Sequence, residues 1–210
     1  MGTHGKSGLG ISPSLGGAAV LGMLAAMAPA RAGAGESLFE AAVAGEVAAV
    51  ERLLAAGADV NSRGQDQATP LIAAALASQA AAVKVLLAKG ANIRARNAGG
   101  FTALHAAAYS GIAPVVELLL DSGANIDDAD NRAGVTPLLV AAEENHQAVA
   151  ELLLARGADL SIRERHGYTP LTRAFFKRHV SMMRLLKSHG ATCDANVGDE
   201  AYRLCLELGS

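Results

Sequence analysis

The sequence predicts an all-α solenoid of about five stacked helix pairs, and three observations carry that prediction. Threonines placed to cap a helix recur at Thr69, Thr102, Thr136 and Thr169, spaced 33, 34 and 33 residues apart. Glycines placed to end a helix recur at Gly57, Gly90, Gly123, Gly157 and Gly190, spaced 33, 33, 34 and 33. Each cap-to-stop interval holds two apolar helical patterns, both too short to bury a face alone. Two independent markers on one period mean a stacked array rather than a single mixed core.

In chain order, residues 1–35 come first and differ from the rest. They hold no Asp or Glu, and Lys6 and Arg31 are their basic side chains. The stretch from Leu15 to Met27 is apolar and rich in Gly and Ala, and Ala28-Pro29-Ala30 and Ala30-Arg31-Ala32 follow with small residues two apart. Positive start, short apolar run and small-x-small site together read as a secretory signal peptide; the other reading is a disordered leader. The apolar run is shorter than the ~20 residues a membrane-spanning helix needs. Gly5-Lys6-Ser7 resembles the end of a phosphate loop but lacks the glycine that should precede it and the strand that should lead into it.

Residues 36–63 read as a first, capping repeat. Ser37 and Glu40 form a capping box ahead of Leu38, Phe39, Ala42 and Val43. Gly45 marks a turn, Val47, Val50, Leu53 and Leu54 face a second helix inward, and Gly57 stops it. Repeats follow at about 64–96, 97–130, 131–163 and 164–194. The third is the clearest: Thr102 caps Leu104, Ala107 and Ala108, Ser110-Gly111 breaks the run, Pro114 opens a second helix, and Gly123 closes it. The connection from Gly123 to Thr136 carries one extra residue, placed in the polar run 127–134 at a solvated loop tip. Residues 195–210 read as a C-terminal capping helix that Asp199 can start, with Ala201, Leu204, Cys205 and Leu208 turned inward.

The four segments TPLIAA (69–74), TALHAA (102–107), TPLLVA (136–141) and TPLTRA (169–174) resemble the T-P-L-H-x-A signature of the ankyrin repeat, whose period is about 33 residues. Only His105 keeps the signature histidine, and it is expected to bond to backbone at a repeat junction. The resemblance spans 36–194 and implies an ankyrin-repeat α-solenoid, with helix-turn-helix repeats joined by β-hairpin-like loops. It also implies a non-catalytic scaffold or adaptor that binds another protein through its loop tips and the open side of each first helix. A leader followed by about five repeats is the layout of some bacterial periplasmic ankyrin proteins, which implies a helper or inhibitor of a periplasmic partner. The alternative is a repeat-bearing effector or enzyme accessory with an unrecognised activity.

Composition fits. The chain is 51% apolar, 3% aromatic and 18% charged, with formal net charge −2 and no basic block, so nucleic acid is not the expected partner. No catalytic, metal or cofactor constellation emerges: the six histidines are scattered, and Glu143-Glu144 is an adjacent pair pointing to different sides of a helix. The expected protein is monomeric alone, without stable membrane insertion, and periplasmic or secreted; the alternative is cytoplasmic.

Two positions stand out as partner contacts. The residues before the cap threonines are Ala68, Phe101, Val135 and Tyr168; those seven positions after are Leu76, Tyr109, Glu143 and Phe176. Four of the seven aromatic residues of the chain fall in these sets, and exposed aromatics are typical anchors. With Arg132 at a tip and Glu144 and Lys177 beside the strip, the expected partner-binding residues are Phe101, Tyr109, Arg132, Val135, Glu143, Glu144, Tyr168, Phe176 and Lys177. Cys193 takes the place of Val60, Ile93, Ile126 and Leu160, and so faces inward, as does Cys205. The pair is either two buried thiols or, in an oxidising compartment, a bridge.

Export with cleavage after Ala30 or Ala32 predicts a mature chain starting at Arg31 or Gly33. Intact mass of protein from the host's periplasmic fraction checks this; a full-length mass found only in cytosol contradicts it.

Overall fold

The structure is a computed structural model and describes residues 37–195 and 199–207. The leader, its small-x-small sites, Gly5-Lys6-Ser7 and Leu208 lie outside the described residues, and so do the side chains of Ala201 and Leu204. Among the described residues there are eleven α-helices and no strand. The inner helices are α1 (Leu38–Ala44), α3 (Pro70–Leu76), α5 (Ala103–Ser110), α7 (Pro137–Glu143) and α9 (Pro170–Phe176). The outer helices are α2 (Val47–Ala55), α4 (Ala80–Ala88), α6 (Ala113–Asp121), α8 (Gln147–Ala155) and α10 (Val180–Ser188). Each inner helix packs on the next inner helix and on its own outer partner, and outer helices pack in sequence behind them. A final helix, α11 (Asp199–Glu207), follows the stack.

The caps explain where the inner helices start. Thr69, Thr136 and Thr169 accept hydrogen bonds from the N–H groups of Ile72, Leu139 and Thr172 at 3.2–3.3 Å. Ser37 and Glu40 close a reciprocal capping box on α1. Covered on both sides, α3 and α7 bury all seven of their residues, which is why small alanines suit them. Outer helices are covered on one side and bury a narrower stripe. It recurs as Ala82, Val83 and Leu86, then Val115, Val116 and Leu119, Val149, Ala150 and Leu153, and Met182, Met183 and Leu186.

The turn between inner and outer helices needs a left-handed residue at every repeat: Gly45, Ser78, Gly111, Asn145 and Arg178, with φ between 60° and 75°. At two of them glycine also leaves room for a side chain of the next repeat. A Cβ at Gly45 would come within 2.2 Å of Gln79 Oε1, and one at Gly111 within 2.4 Å of His146 Nδ1. Those side chains are there because each repeat satisfies a carbonyl at the end of the inner helix before it. Gln79 Nε2 donates to Val43 O (3.2 Å), Ser110 Oγ to Leu76 O (2.6 Å), His146 Nε2 to Tyr109 O (2.7 Å) and His179 Nε2 to Glu143 O (3.0 Å).

His105 makes a second kind of junction. Its Nδ1 accepts from the Thr102 N–H at 3.3 Å, so the neutral ring carries its proton on Nε2, which donates to Asp128 O and Val135 O of the next repeat, both at 3.0 Å. Burial pushes its pKa below the ordinary histidine value, against the pull of the two carbonyls.

The loop tips pair through one backbone bond per step: Ala98 N to Asp66 O, Arg132 N to Gly99 O and Arg165 N to Ala133 O, at 2.8, 3.3 and 2.9 Å. The segment carrying the extra residue, from Asp127 to Asp130, corrects the expectation of a free, solvated loop. Asp128 is 8% exposed and takes a two-pronged hydrogen bond from Arg96, at 2.9 and 2.8 Å. Burial alone would raise the Asp128 carboxyl; the Arg96 guanidinium holds it below its ordinary value. The insertion is thus locked by an ion pair on one side and His105 on the other. At the C-terminal end a disulfide joins Cys193 to Cys205, with Cα atoms 5.8 Å apart, and Lys187 Nζ donates to Cys205 O. The bridge fastens α11 to the last repeat.

Two outcomes follow. Because the folded His105 pKa is depressed, its contribution is complete above the unfolded value of about 6.5 and is lost as pH falls through the folded one. Urea unfolding at pH 7.5 and 5 should show a loss of up to about 1.4 kcal/mol per pH unit over that window. His105→Gln should be less stable by about 1–3 kcal/mol at neutral pH and lose this part of the slope. Cys193→Ser with Cys205→Ser should release the cap, at a local cost of about 3 kcal/mol for a loop of this length, seen as early hydrogen exchange in α11 and α10.

Candidate interaction surface

The residue before each cap threonine is a packing residue in most repeats. Ala68, Phe101 and Val135 are 0%, 4% and 1% exposed. Phe101 and Val135 are therefore corrected from tip side chains to core. The cause is local: the residue ahead of an N-cap folds back onto the first turn of its helix, like the staple that fixes the entry of the chain. The Phe101 ring meets the His105 ring edge to face at 5.5 Å. In the last repeat the same fold-back has other partners. Tyr168 is half-buried, and the Arg173 guanidinium carbon lies 5.4 Å from its ring centroid.

The position seven residues after the cap differs in exposure from repeat to repeat. Leu76 is 4% exposed, Tyr109 is half-buried, Glu143 is 3% exposed and Phe176 is 45% exposed. A following inner helix packs on each earlier inner helix, and among the described residues none packs on the far side of α9. Glu143 is corrected from a partner contact to a buried carboxylate, with Lys177 Nζ 3.4 Å from its Oε1. Glu144 stays half-buried, and burial followed by the Glu143 charge raises its carboxyl above the ordinary range. Burial and the Glu144 charge in turn raise the Tyr109 hydroxyl. Arg132 and Lys177 are exposed.

The expected strip is thus only partly assembled. Tyr168 and Phe176 meet edge to face at 5.1 Å, Phe176 meets Phe175 at 5.8 Å, and His166 stacks on Tyr168 at 6.4 Å. Among the described residues, neither Phe101 nor Tyr109 makes a ring contact with this group. The cluster belongs to the last repeat and runs from its tip down the open side of α9.

Beneath it lies a charge group that sequence reasoning missed. Glu164 is 3% exposed. Its Oε2 is 2.8 Å from His166 Nδ1 and 3.6 Å from Arg173 Nη2, and its Oε1 accepts from the Tyr168 N–H at 3.3 Å. It stands where the two preceding tips have Asn97 and Asn131, whose side-chain oxygens accept from Phe101 N and Val135 N. Arg173 is 5% exposed where the other repeats have Ala73, Ala106 and Val140. That one charged residue in an otherwise apolar column was the available signal. A lone buried arginine demands a nearby carboxylate and points back to Glu164.

Chemically the arrangement offers an apolar edge with fixed charges beside it. Among the described residues no group of three or more His, Cys, Asp or Glu side chains is placed to hold a metal ion, and no helix is long and apolar enough to cross a membrane. A family model for ankyrin repeats (3 copies) matches residues 38–130 and 127–199. No curated protein matches the sequence.

Alanine substitution separates core from surface here. Phe101→Ala should cost about 3–5 kcal/mol in unfolding free energy, as a core truncation. Phe176→Ala should cost about 0.5–1.5 kcal/mol, the worth of its aromatic contacts. Denaturant titration of the two variants reads the difference, and equal costs would contradict the assignment.

Proposed function

The chain belongs to the ankyrin-repeat family, whose repeats bind other proteins, and on that premise we propose that it is a non-catalytic adaptor whose contact surface is centred on the last two repeats. One observation carries the placement: Phe176, 45% exposed and held edge to face by Tyr168, in a chain with few aromatics. A fixed, exposed ring is a low-entropy anchor, because binding need not freeze it.

We read the protein further as exported, acting as helper or inhibitor of a partner in the same oxidising compartment. The apolar, acid-free stretch 1–35 supports this, and so does the Cys193–Cys205 disulfide, a bond that persists in oxidising surroundings.

The test is photocrosslinking in the native host, with a photoreactive phenylalanine analogue at position 176 in one strain and at Glu151 on outer helix α8 in another. A discrete adduct from 176 and none from 151 is expected. Adducts from 151 alone would place the contact on the opposite side of the stack.

A further inference from the structure

The loop tips differ in charge along the stack. Gln65, Ala98, Arg132 and Arg165 occupy equivalent positions on four successive tips, so the outermost tip residue becomes cationic only in the last two. The tip-to-tip backbone bonds fix these two arginines on adjacent steps. The stem of Arg165 lies over the preceding tip, with its Cγ 3.6 Å from where a Cβ of Gly134 would stand. Arg96, Arg132 and Arg165 line one open groove there, together with Gly99, Gly100 and the acidic Asp130.

The counterions are unevenly placed. Arg96 is held by Asp128, with Asp130 3.4 Å away. Arg156 pairs with Glu117 and Asp121, and Arg163 pairs with Asp194. Among the described residues no carboxylate pairs with Arg132 or Arg165, although both are exposed and lie beside each other. Other acids have cationic neighbours of their own: Glu164 has His166 and Arg173, Glu143 has Lys177, and Asp130, in the same groove, has Arg96. Two like charges on adjacent steps repel, and an anion laid across them removes that repulsion while gaining two charge-assisted contacts. Three residues after Arg165 in the same repeat, Tyr168 begins the aromatic cluster that includes Phe176.

We propose that this surface takes an acidic segment of a partner protein, with one aromatic or large aliphatic side chain seated against Tyr168 and Phe176 and carboxylates lying across Arg132 and Arg165. This rests on the adaptor reading and gives its partner a chemistry. The guanidinium forks match carboxylates in pairs, and the segment brings the carboxylates that Arg132 and Arg165 lack. Rim charges of this kind act mainly on association rate and salt dependence, whereas the aromatic contact sets the lifetime of the complex.

Selection of random displayed peptides on the immobilised chain tests this, followed by affinity measurement with the selected peptides made synthetically. Enriched peptides should carry a surplus of Asp and Glu around one aromatic or large aliphatic residue. Their binding should weaken with added salt and fall about tenfold or more in Arg132→Glu with Arg165→Glu. Arg132→Lys with Arg165→Lys should retain most of the affinity. Both sites are exposed tips, and unchanged thermal unfolding of each double variant verifies that the fold is intact. Neutral or basic peptides, or acidic ones indifferent to charge reversal, would overturn the proposal. If such peptides still lose binding in Phe176→Ala, the adaptor surface stands and only its charge preference falls. Peptides indifferent to both changes, or no enrichment at all, would overturn both.

Discussion

The contact between one inner helix and the next is what the whole molecule depends on. A seven-residue helix cannot hold itself in water, and each inner helix here exists because two others cover it. The cover is apolar and close, which explains the alanines of α3 and α5. It is also registered, because the next repeat donates to a carbonyl left open at the helix end. Gln79, Ser110, His146 and His179 do this with three different side chains. The geometry of the junction is kept while its chemistry varies, so the requirement is a donor at a place rather than a particular residue.

The same logic governs the loop tips. Three of the four tips tie their backbone to a side-chain acceptor, supplied by Asn97, Asn131 and Glu164. Once Glu164 takes the place of an asparagine, its charge must be answered, and Arg173 and His166 answer it. Likewise the extra residue before the third tip is absorbed because Asp128 finds Arg96. Buried charge in this protein is a local repair to the repeat.

Exposure of the proposed contact residues follows from what covers them. Positions that neighbours cover in the middle of the array lose that cover at α9, and there the chain places Phe176 and Tyr168 instead of Leu76 and Ala68. The opposite end of the last repeat is closed differently, by a helix fastened through a disulfide. The contact surface we propose thereby needs no helix devoted to it alone.

The sequence by itself determined the period, the caps, the helix pairing and therefore the family. These depend on residues a fixed distance apart, and local backbone chemistry reads that distance directly. His105 was legible too, as a donor to backbone at a junction. What only the tertiary structure decided is which repeated positions are covered. Phe101 and Tyr168 are the same position by spacing, yet one is core and the other borders an open face. Glu143 and Phe176 share a column, yet the carboxylate is buried and the ring exposed. Spacing assigns a residue to a column; exposure depends on what the next repeat lays over it. That is a contact between segments some thirty residues apart, and it differs between the middle of a stack and its end.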